Sequence, residues 1–238
     1  IRLTCVPDIF MSEKMLLPPK AVIFDWDNTL VDSWETIQAA LNLTFDDFGK
    51  DRWDLAETKT RVARSLRDSF PTLFGDDRWE EAKDRFYAHF KAIHLETLTP
   101  LAGAHDLLGA LRDTGAYMGV VSNKNGDFLR SEVAYLGWGH FFGGVVGATD
   151  AKKDKPAADP VHLAMGDSAA AQYENLWFVG DSVVDIQCAR NVGATAILIG
   201  DEVTGHGDTT NSANLGPDWH FPDCEALVRL VKSFAKVL

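Results

Sequence analysis

The sequence predicts an α/β protein in which a Rossmann-like parallel sheet forms the core and an all-helical segment is inserted into it. Two observations support this fold class. Short apolar strands alternate with amphipathic helices over most of the 238 residues, and between about residues 33 and 99 the alternation gives way to helical patterns alone. Strands that are apolar on both faces and are separated by helices are typical of a parallel sheet covered by helices.

The strands of the core are predicted from short apolar runs that end at turn residues. In chain order they cover residues 21–25, 117–122, 144–148, 176–180 and 194–200. Helical periodicity predicts helices at 103–114, 125–136, 160–171 and 183–192. Ligands bind beyond the carboxyl ends of the strands in such sheets. The residues that directly follow each strand are therefore the first candidates for a functional site.

The inserted segment is predicted from helical spacing of large apolar residues. Ile37, Leu41 and Phe45 share one helical face, and residues 79–90 repeat the pattern with aromatic side chains. Pro100 marks the return to the core. The predicted organisation is an N-terminal extension (1–19), a core domain (20–32 and 100–238) and a helical cap domain (33–99).

Composition restricts the possible partners and the compartment. The formal net charge is −12, with Lys+Arg 23 against Asp+Glu 35, so we expect neither nucleic acid nor a membrane surface as a partner. The three cysteines lack metal-site spacing, and the N-terminal residues lack the apolar run of a secretory signal. We expect a cytoplasmic protein, a monomer or homodimer, that acts on a small molecule.

Four short motifs follow predicted strands and bear chemically useful side chains. They are Asp25-x-Asp27-x-Thr29, Ser122-Asn123, Lys155 before Pro156, and Asp181 with Asp185 four residues on. Taken singly, each has an ordinary explanation as a solvated loop residue, a helix cap or a surface charge. Together they place an anion-binding Ser and Lys beside two groups of carboxylates at one edge of one sheet. Buried carboxylates are costly unless they are paired or bind a metal, so the combination predicts a site.

These motifs, in this order, resemble the haloacid dehalogenase superfamily. The stretches "FDWDNTLVDS", "VSNK", "DKP" and "FVGDSVVDIQCARNVG" look most like phosphoglycolate-phosphatase-like members, and the helical insert resembles the cap of the C1 branch. The resemblance covers about residues 20–236. Asn28 stands where many relatives have Gly, and Asn also tolerates a left-handed backbone conformation.

The resemblance implies a Mg²⁺-dependent phosphatase. Asp25 would be the nucleophile that becomes an aspartyl-phosphate, and Asp27 would be the general acid and base. A carboxylate is repelled by a phosphate dianion, so a cation must lie between them, and Mg²⁺ fits that need. By resemblance its ligands would be Asp25, the backbone carbonyl of Asp27, Asp181 and Asp185. Phosphoryl oxygens would be bound by Ser122 and Lys155, and the substrate-binding set also includes Thr29 and Asn123 of the same motifs.

Asp27 separates the reaction classes within this superfamily. Dehalogenases lack that acid because halide leaves unprotonated, so its presence favours phosphoryl transfer. We expect hydrolysis of a small phosphorylated metabolite such as 2-phosphoglycolate. The alternatives are a sugar-phosphate mutase of the β-phosphoglucomutase type, a haloacid dehalogenase, and a non-catalytic binding protein.

The cap segment offers basic residues for substrate recognition. Arg61, Arg64 and Arg67 recur at three-residue spacing and would share one face of a helix. Arg is suited to bidentate binding of a carboxylate, so Arg64 or Arg67 is predicted to bind the acidic part of the substrate. A solvated basic face that pairs with Glu57 and Asp68 explains the same pattern equally well.

Overall fold

The computed structural model describes residues 15–62, 66–166, 174–200 and 216–234. Within these ranges a six-stranded, fully parallel sheet forms the centre of the molecule. The strands are β1 (Ala21–Phe24), β2 (Val31–Asp32), β3 (Thr99–Pro100), β4 (Tyr117–Asn125), β5 (Gly144–Ala148), β6 (Leu176–Gly180), β7 (Thr195–Ile199) and β8 (Trp219–Phe221). The order across the sheet is β5-β4-β1-β6-β7-β8, and β2 and β3 pair separately and antiparallel.

Helices cover both faces of the sheet. They are α1 (Trp34–Asp47), α2 (Leu55–Arg61), α3 (Leu66–Phe74), α4 (Trp79–Ile93), α5 (Ala104–Asp113), α6 (Gly126–Tyr135), α7 (Asp159–Met165), α8 (Val183–Val192) and α9 (Cys224–Phe234). A short 3₁₀ helix covers Trp138–Phe141. No helix in the described part of the chain is both long and apolar enough to cross a membrane.

The central strand β1 explains why its sequence is apolar at every position. Val22 and Phe24 belong to the apolar cluster under α5, α6 and α9, whereas Ala21 and Ile23 belong to the cluster under α7 and α8. All four side chains are completely buried. Such a strand has no solvated face, which is the pattern of a sheet covered on both sides.

The segment between β2 and β3 is helical in its described part and has its own aromatic cluster. Phe45, Phe70, Phe74, Phe86 and Phe90 pack together there. The short pair β2–β3, with Asp32 opposite Thr99, joins the two ends of the segment at the edge of the core. The division into a core and a cap domain at these residues remains a prediction. Of the expected N-terminal extension, residues 1–14 lie outside the described ranges, and Leu16 packs into the main core.

The α/β fold predicted from the sequence is confirmed. β4 runs three residues beyond the predicted end, to Asn125, and β8 adds a sixth strand at the edge of the sheet. Of the helix predicted at 160–171, the described part ends at Met165.

Candidate active site

The parallel sheet brings three of the sequence motifs to one edge. β1 pairs with β4 on one side and with β6 on the other, so Phe24 lies level with Val120 and Val179. Asp25 and Asp181 directly follow β1 and β6, and Ser122 lies two residues beyond Val120. The carboxyl ends of these strands therefore converge, as the sequence predicted.

Three buried carboxylates form the centre of this edge. Asp25, Asp181 and Asp185 each offer an oxygen within 4.8 Å of the others, and their exposed fractions are 7%, 6% and 2%. Asp185 lies in the first turn of α8, which Ser182 caps by accepting a hydrogen bond from the Asp185 amide while the Asp185 carboxylate accepts one from the Ser182 amide. A Cβ on Gly180 would lie 2.4 Å from Cβ of Asp185. The end of β6 and the start of α8 thus fix this carboxylate tightly.

Lys155 bridges two members of this acidic group. Its Nζ lies 2.7 Å from Oδ1 of Asp25 and 2.7 Å from Oδ1 of Asp185. The loop that carries it is clamped by Asn123, whose amide donates to the Lys155 carbonyl at 3.1 Å and accepts from its backbone N–H at 3.0 Å. Asn123 therefore holds the lysine in place in addition to lining the cavity.

The carboxylate group fits a divalent cation. Oδ1 of Asp25 is buried and accepts no well-aligned hydrogen bond from the described residues, although Lys155 Nζ lies 2.7 Å away. Burial raises the pKa of Asp25 to about 7; Lys155 opposes this, and Asp185 and Asp27 add to it. Burial lowers the pKa of Lys155, but Asp185 and Asp25 outweigh that effect and raise it. One lysine among three buried carboxylates leaves excess negative charge, and a set of hard oxygen ligands suits Mg²⁺.

The turn after β1 positions the remaining residues of the first motif. Asn28 has a left-handed backbone with φ 61°, as the sequence allowed, and its Oδ1 accepts from the Ser33 amide at 3.2 Å. Thr29 is completely buried and its hydroxyl lies 3.4 Å from Oδ1 of Asp181. Thr29 therefore lies beside the acidic group, away from the cavity wall, and its predicted contact with substrate remains a prediction.

A second lysine, whose side chain is only 6% exposed and which was not predicted from the sequence, holds Asp27. Lys124 Nζ lies 2.6 Å from Oδ1 of Asp27 and 2.6 Å from Oε2 of Glu132. Glu132 is 1% exposed and also accepts from Trp26 Nε1 at 2.7 Å, and its Oε1 lies 2.7 Å from Nδ1 of His94. His94 follows α4, so this network connects the helical segment to the first motif.

The charges in this network stabilise one another. Burial lowers the pKa of Lys124, but Asp27 and Glu132 outweigh that effect and raise it. Burial likewise raises the pKa of Glu132, whereas its hydrogen bonds with His94, Lys124 and Trp26 outweigh burial and lower it. A sequence signal for Glu132 existed: it lies on the apolar face of α6, three residues after Leu129. A carboxylate at a buried helical position needs partners.

A cavity of about 140 Å³ opens above these groups. Its polar floor includes Asp25, Asp27, Ser122, Lys124 and Asp181. Its walls are largely apolar and aromatic side chains from α1, α4, α6 and the end of α2: Trp34, Ile37, Val62, Phe86, Tyr87, Phe90 and Phe128. The motifs predicted this floor apart from Lys124, whereas Ile37 and the aromatic residues of 79–90 served only as evidence for helices.

The arginines proposed for substrate recognition are only partly described. Arg64 and the side chain of Arg67 lie outside the described residues, so their predicted role remains a prediction. Arg61 is exposed, pairs with Glu57 at 3.3 Å and lies over the ring of Trp53 at 4.8 Å.

Comparison with known proteins points to one group of enzymes. The family model described as "Haloacid dehalogenase-like hydrolase" matches residues 22–199. The chain is 30% identical to phosphoglycolate phosphatase of Chromobacterium violaceum, over 90% of this chain and 97% of that one. It is 26% identical to pyrophosphatase PpaX of Halalkalibacterium halodurans, over 77% and 85%. The crystal structure of a predicted phosphoglycolate phosphatase from Haemophilus somnus has the same fold, with a TM-score of 0.76, 20% identity and coverage of 91% and 99%.

Proposed function

Because the chain belongs to the haloacid dehalogenase-like hydrolase family and is a hydrolytic phosphatase, we propose that it hydrolyses a small phosphate monoester with Mg²⁺ through an aspartyl-phosphate on Asp25. The supporting observation is the group formed by Asp25, Asp181 and Asp185, whose oxygens lie within 4.8 Å of one another, with Asp25 and Asp181 at the floor of the cavity. Location in the cytoplasm, the oligomeric state and the absence of nucleic-acid or membrane partners remain predictions.

The nucleophilic step requires Asp25 to be ionised and close to the phosphorus atom. Asp25 lines the cavity, and Lys155 beside it favours the ionised carboxylate. Mg²⁺, held by Asp25, the Asp27 carbonyl, Asp181 and Asp185, would neutralise charge that carboxylate and phosphoryl oxygens bring together. Ser122 lies on the cavity floor, where its hydroxyl can donate to a phosphoryl oxygen.

Proton transfer is assigned to Asp27. It donates a proton to the leaving-group oxygen and then takes one from the water that hydrolyses the aspartyl-phosphate. Lys124, 2.6 Å from Oδ1 of Asp27, stabilises the carboxylate that remains after the first transfer. Glu132 and His94 keep the lysine in that position.

The names of the relatives supply the first substrates to test. Phosphoglycolate phosphatase and pyrophosphatase among them suggest 2-phosphoglycolate and inorganic pyrophosphate. Each should be assayed for phosphate release with Mg²⁺ and with EDTA. We expect phosphate to be released in the presence of Mg²⁺ and not in the presence of EDTA. We also expect Asp25→Asn to abolish this release.

A matched control separates the nucleophile from a general effect of charge. Asp106→Asn makes the same change on an exposed carboxylate of α5 and should retain full activity. If Asp25→Asn hydrolyses esters as fast as the unaltered enzyme, or if EDTA has no effect, the proposed mechanism is wrong.

The same assay addresses the alternative reactions. A mutase would convert β-glucose 1-phosphate into glucose 6-phosphate without net release of phosphate. A dehalogenase would release halide from 2-chloropropionate without Mg²⁺. No feature of the described residues favours either reaction over hydrolysis.

A further inference from the structure

The cavity has a polar end and an apolar end. The polar end is formed at the edge of the sheet, around Asp25. The opposite wall is formed by Trp34, Ile37, Val62, Tyr87, Phe90 and Phe128. A phosphoryl group that contacts Asp25 therefore directs its leaving group toward an aromatic wall.

The aromatic wall is a packed surface. Phe128 lies 5.5 Å from Tyr87, 5.3 Å from Phe90 and 5.1 Å from His94, measured between ring centroids. Tyr87 and Trp34 both line the cavity and are only partly buried. Rings in contact at these distances form a continuous apolar face that attracts apolar groups.

Charge on the described residues that line the cavity disfavours an anionic leaving group. Among the described residues that line the cavity, Lys124 is the only Lys or Arg. Its Nζ already contacts Asp27 and Glu132, and it lies 5.0 Å from the centroid of Phe90. A carboxylate or second phosphate at the apolar end would lose its hydration without gaining a new cation among these residues.

Resting on the proposed phosphatase function, we infer that the preferred substrate is a phosphate monoester of a neutral alcohol that bears an apolar ring, and that the wall around Tyr87 and Trp34 binds this ring. The cavity volume of about 140 Å³ limits the ring to a small one. Affinity for such a substrate would come from apolar contact with the wall, whereas 2-phosphoglycolate would depend on the arginine predicted from the cap sequence.

The test compares three esters whose phosphoryl group is the same. Ethyl phosphate lacks a ring, 2-phenylethyl phosphate adds one to a similar alkoxide leaving group, and 2-phosphoglycolate adds a carboxylate. With Mg²⁺, we expect kcat/KM for 2-phenylethyl phosphate to exceed that for each of the others by about tenfold or more, because several apolar carbons enter the wall.

Matched variants locate the ring. Tyr87→Ala should reduce the ratio of kcat/KM between 2-phenylethyl phosphate and ethyl phosphate by about fivefold or more, and Trp34→Ala should act in the same direction. Tyr135→Ala is the control, because Tyr135 is 61% exposed and lies outside the cavity. A ratio measured on one preparation does not depend on how much of the variant is folded.

The outcomes separate this inference from the function on which it rests. If no ester releases phosphate with Mg²⁺, the proposed function itself is wrong. If ethyl phosphate and 2-phenylethyl phosphate are hydrolysed equally well, or 2-phosphoglycolate is preferred and Arg64→Ala removes that preference, the inference is overturned while the phosphatase function stands.

Discussion

Two buried lysines in the site, Lys155 and Lys124, make the same kind of contact in different surroundings. Each lies within 2.7 Å of two carboxylates. Lys155 joins Asp25 to Asp185, and the third carboxylate of that group, Asp181, lies within 4.8 Å of both. Lys124 joins Asp27 to Glu132.

The difference concerns the charge that remains after pairing. Glu132 accepts hydrogen bonds from Trp26 and Lys124 and contacts His94, so its two oxygens are occupied by protein groups. Oδ1 of Asp25 accepts no well-aligned hydrogen bond from the described residues. The group around Lys155 thus has the charge and ligands to take up a cation, whereas the group around Lys124 is complete and positions Asp27. Similar ion pairs therefore serve chemistry in one place and positioning in the other.

The largest expected effect is at Lys155. Lys155→Met leaves Asp25 and Asp185 without their shared cation, and we expect kcat to fall by about 10³-fold or more. Steady-state rates at saturating Mg²⁺ and ester would measure this loss. Lys153→Met removes an exposed lysine of the same loop and should leave kcat unchanged. A Lys155→Met enzyme within tenfold of the unaltered one would contradict the assigned role.

A smaller effect that depends on the leaving group is expected at Lys124. Lys124→Met should lower kcat/KM, which reports the steps up to formation of the aspartyl-phosphate, by about 10²-fold for ethyl phosphate, because proton transfer by Asp27 to the leaving group contributes about 10² to 10⁴. The loss should be much smaller for 4-nitrophenyl phosphate, whose leaving group departs without a proton. An equal loss for both esters would indicate that Lys124 has only a structural role.

Glu132 should affect stability in a pH-dependent way. Glu132→Gln leaves Lys124 with one partner and should lower the free energy of unfolding near pH 7 by about 2–4 kcal/mol, measured by urea denaturation. Glu96→Gln, on an exposed glutamate after α4, is the control and should not change the denaturation midpoint.

The pH dependence follows from the sign of the pKa shift at Glu132. Its hydrogen bonds and Lys124 hold its pKa below the ordinary value of 4.5, outweighing burial. The stabilisation is therefore complete above about pH 4.5 and is lost as the pH falls through the folded-state pKa. The difference between the unaltered protein and Glu132→Gln should shrink below that pH. A constant difference would contradict the assigned contacts.

The smallest effect concerns a thiol behind the Lys155 group. Cys188 is buried and its Sγ donates to the Ala157 carbonyl at 3.4 Å. Burial raises its pKa to about 12, so on the order of one molecule in 10⁴ carries the thiolate at pH 8. Cys188 should react with a thiol reagent only over hours in a Cys5→Ser background, and faster once Lys155→Met loosens the packing. The reaction rate of Cys224, which is buried under the other face of the sheet, should not change. Equal acceleration at both cysteines would indicate general unfolding.

Local sequence pattern predicted the sheet and placed Asp25 and Asp181 directly after strands, whereas Lys155 and Asp185 were predicted from the motifs that resemble the family. Asp25, Asp181 and Ser122 needed only the rule that parallel strands end at one edge. The group around Lys124 required tertiary information, since Trp26, His94 and Glu132 meet only after α4 and α6 have packed. The aromatic wall escaped prediction for the same reason, because periodicity shows that Tyr87 lies on a helix and not which neighbour its ring faces.

Gly180 links strand geometry to ion binding. Even a methyl group there would strike the side chain of Asp185, so the space between the last residue of β6 and the first turn of α8 has no room for a side chain on residue 180. An alanine at this position would push one ligand outward while leaving every acidic residue in place. The affinity for magnesium, measured by calorimetric titration, would then depend on how closely α8 packs against β6.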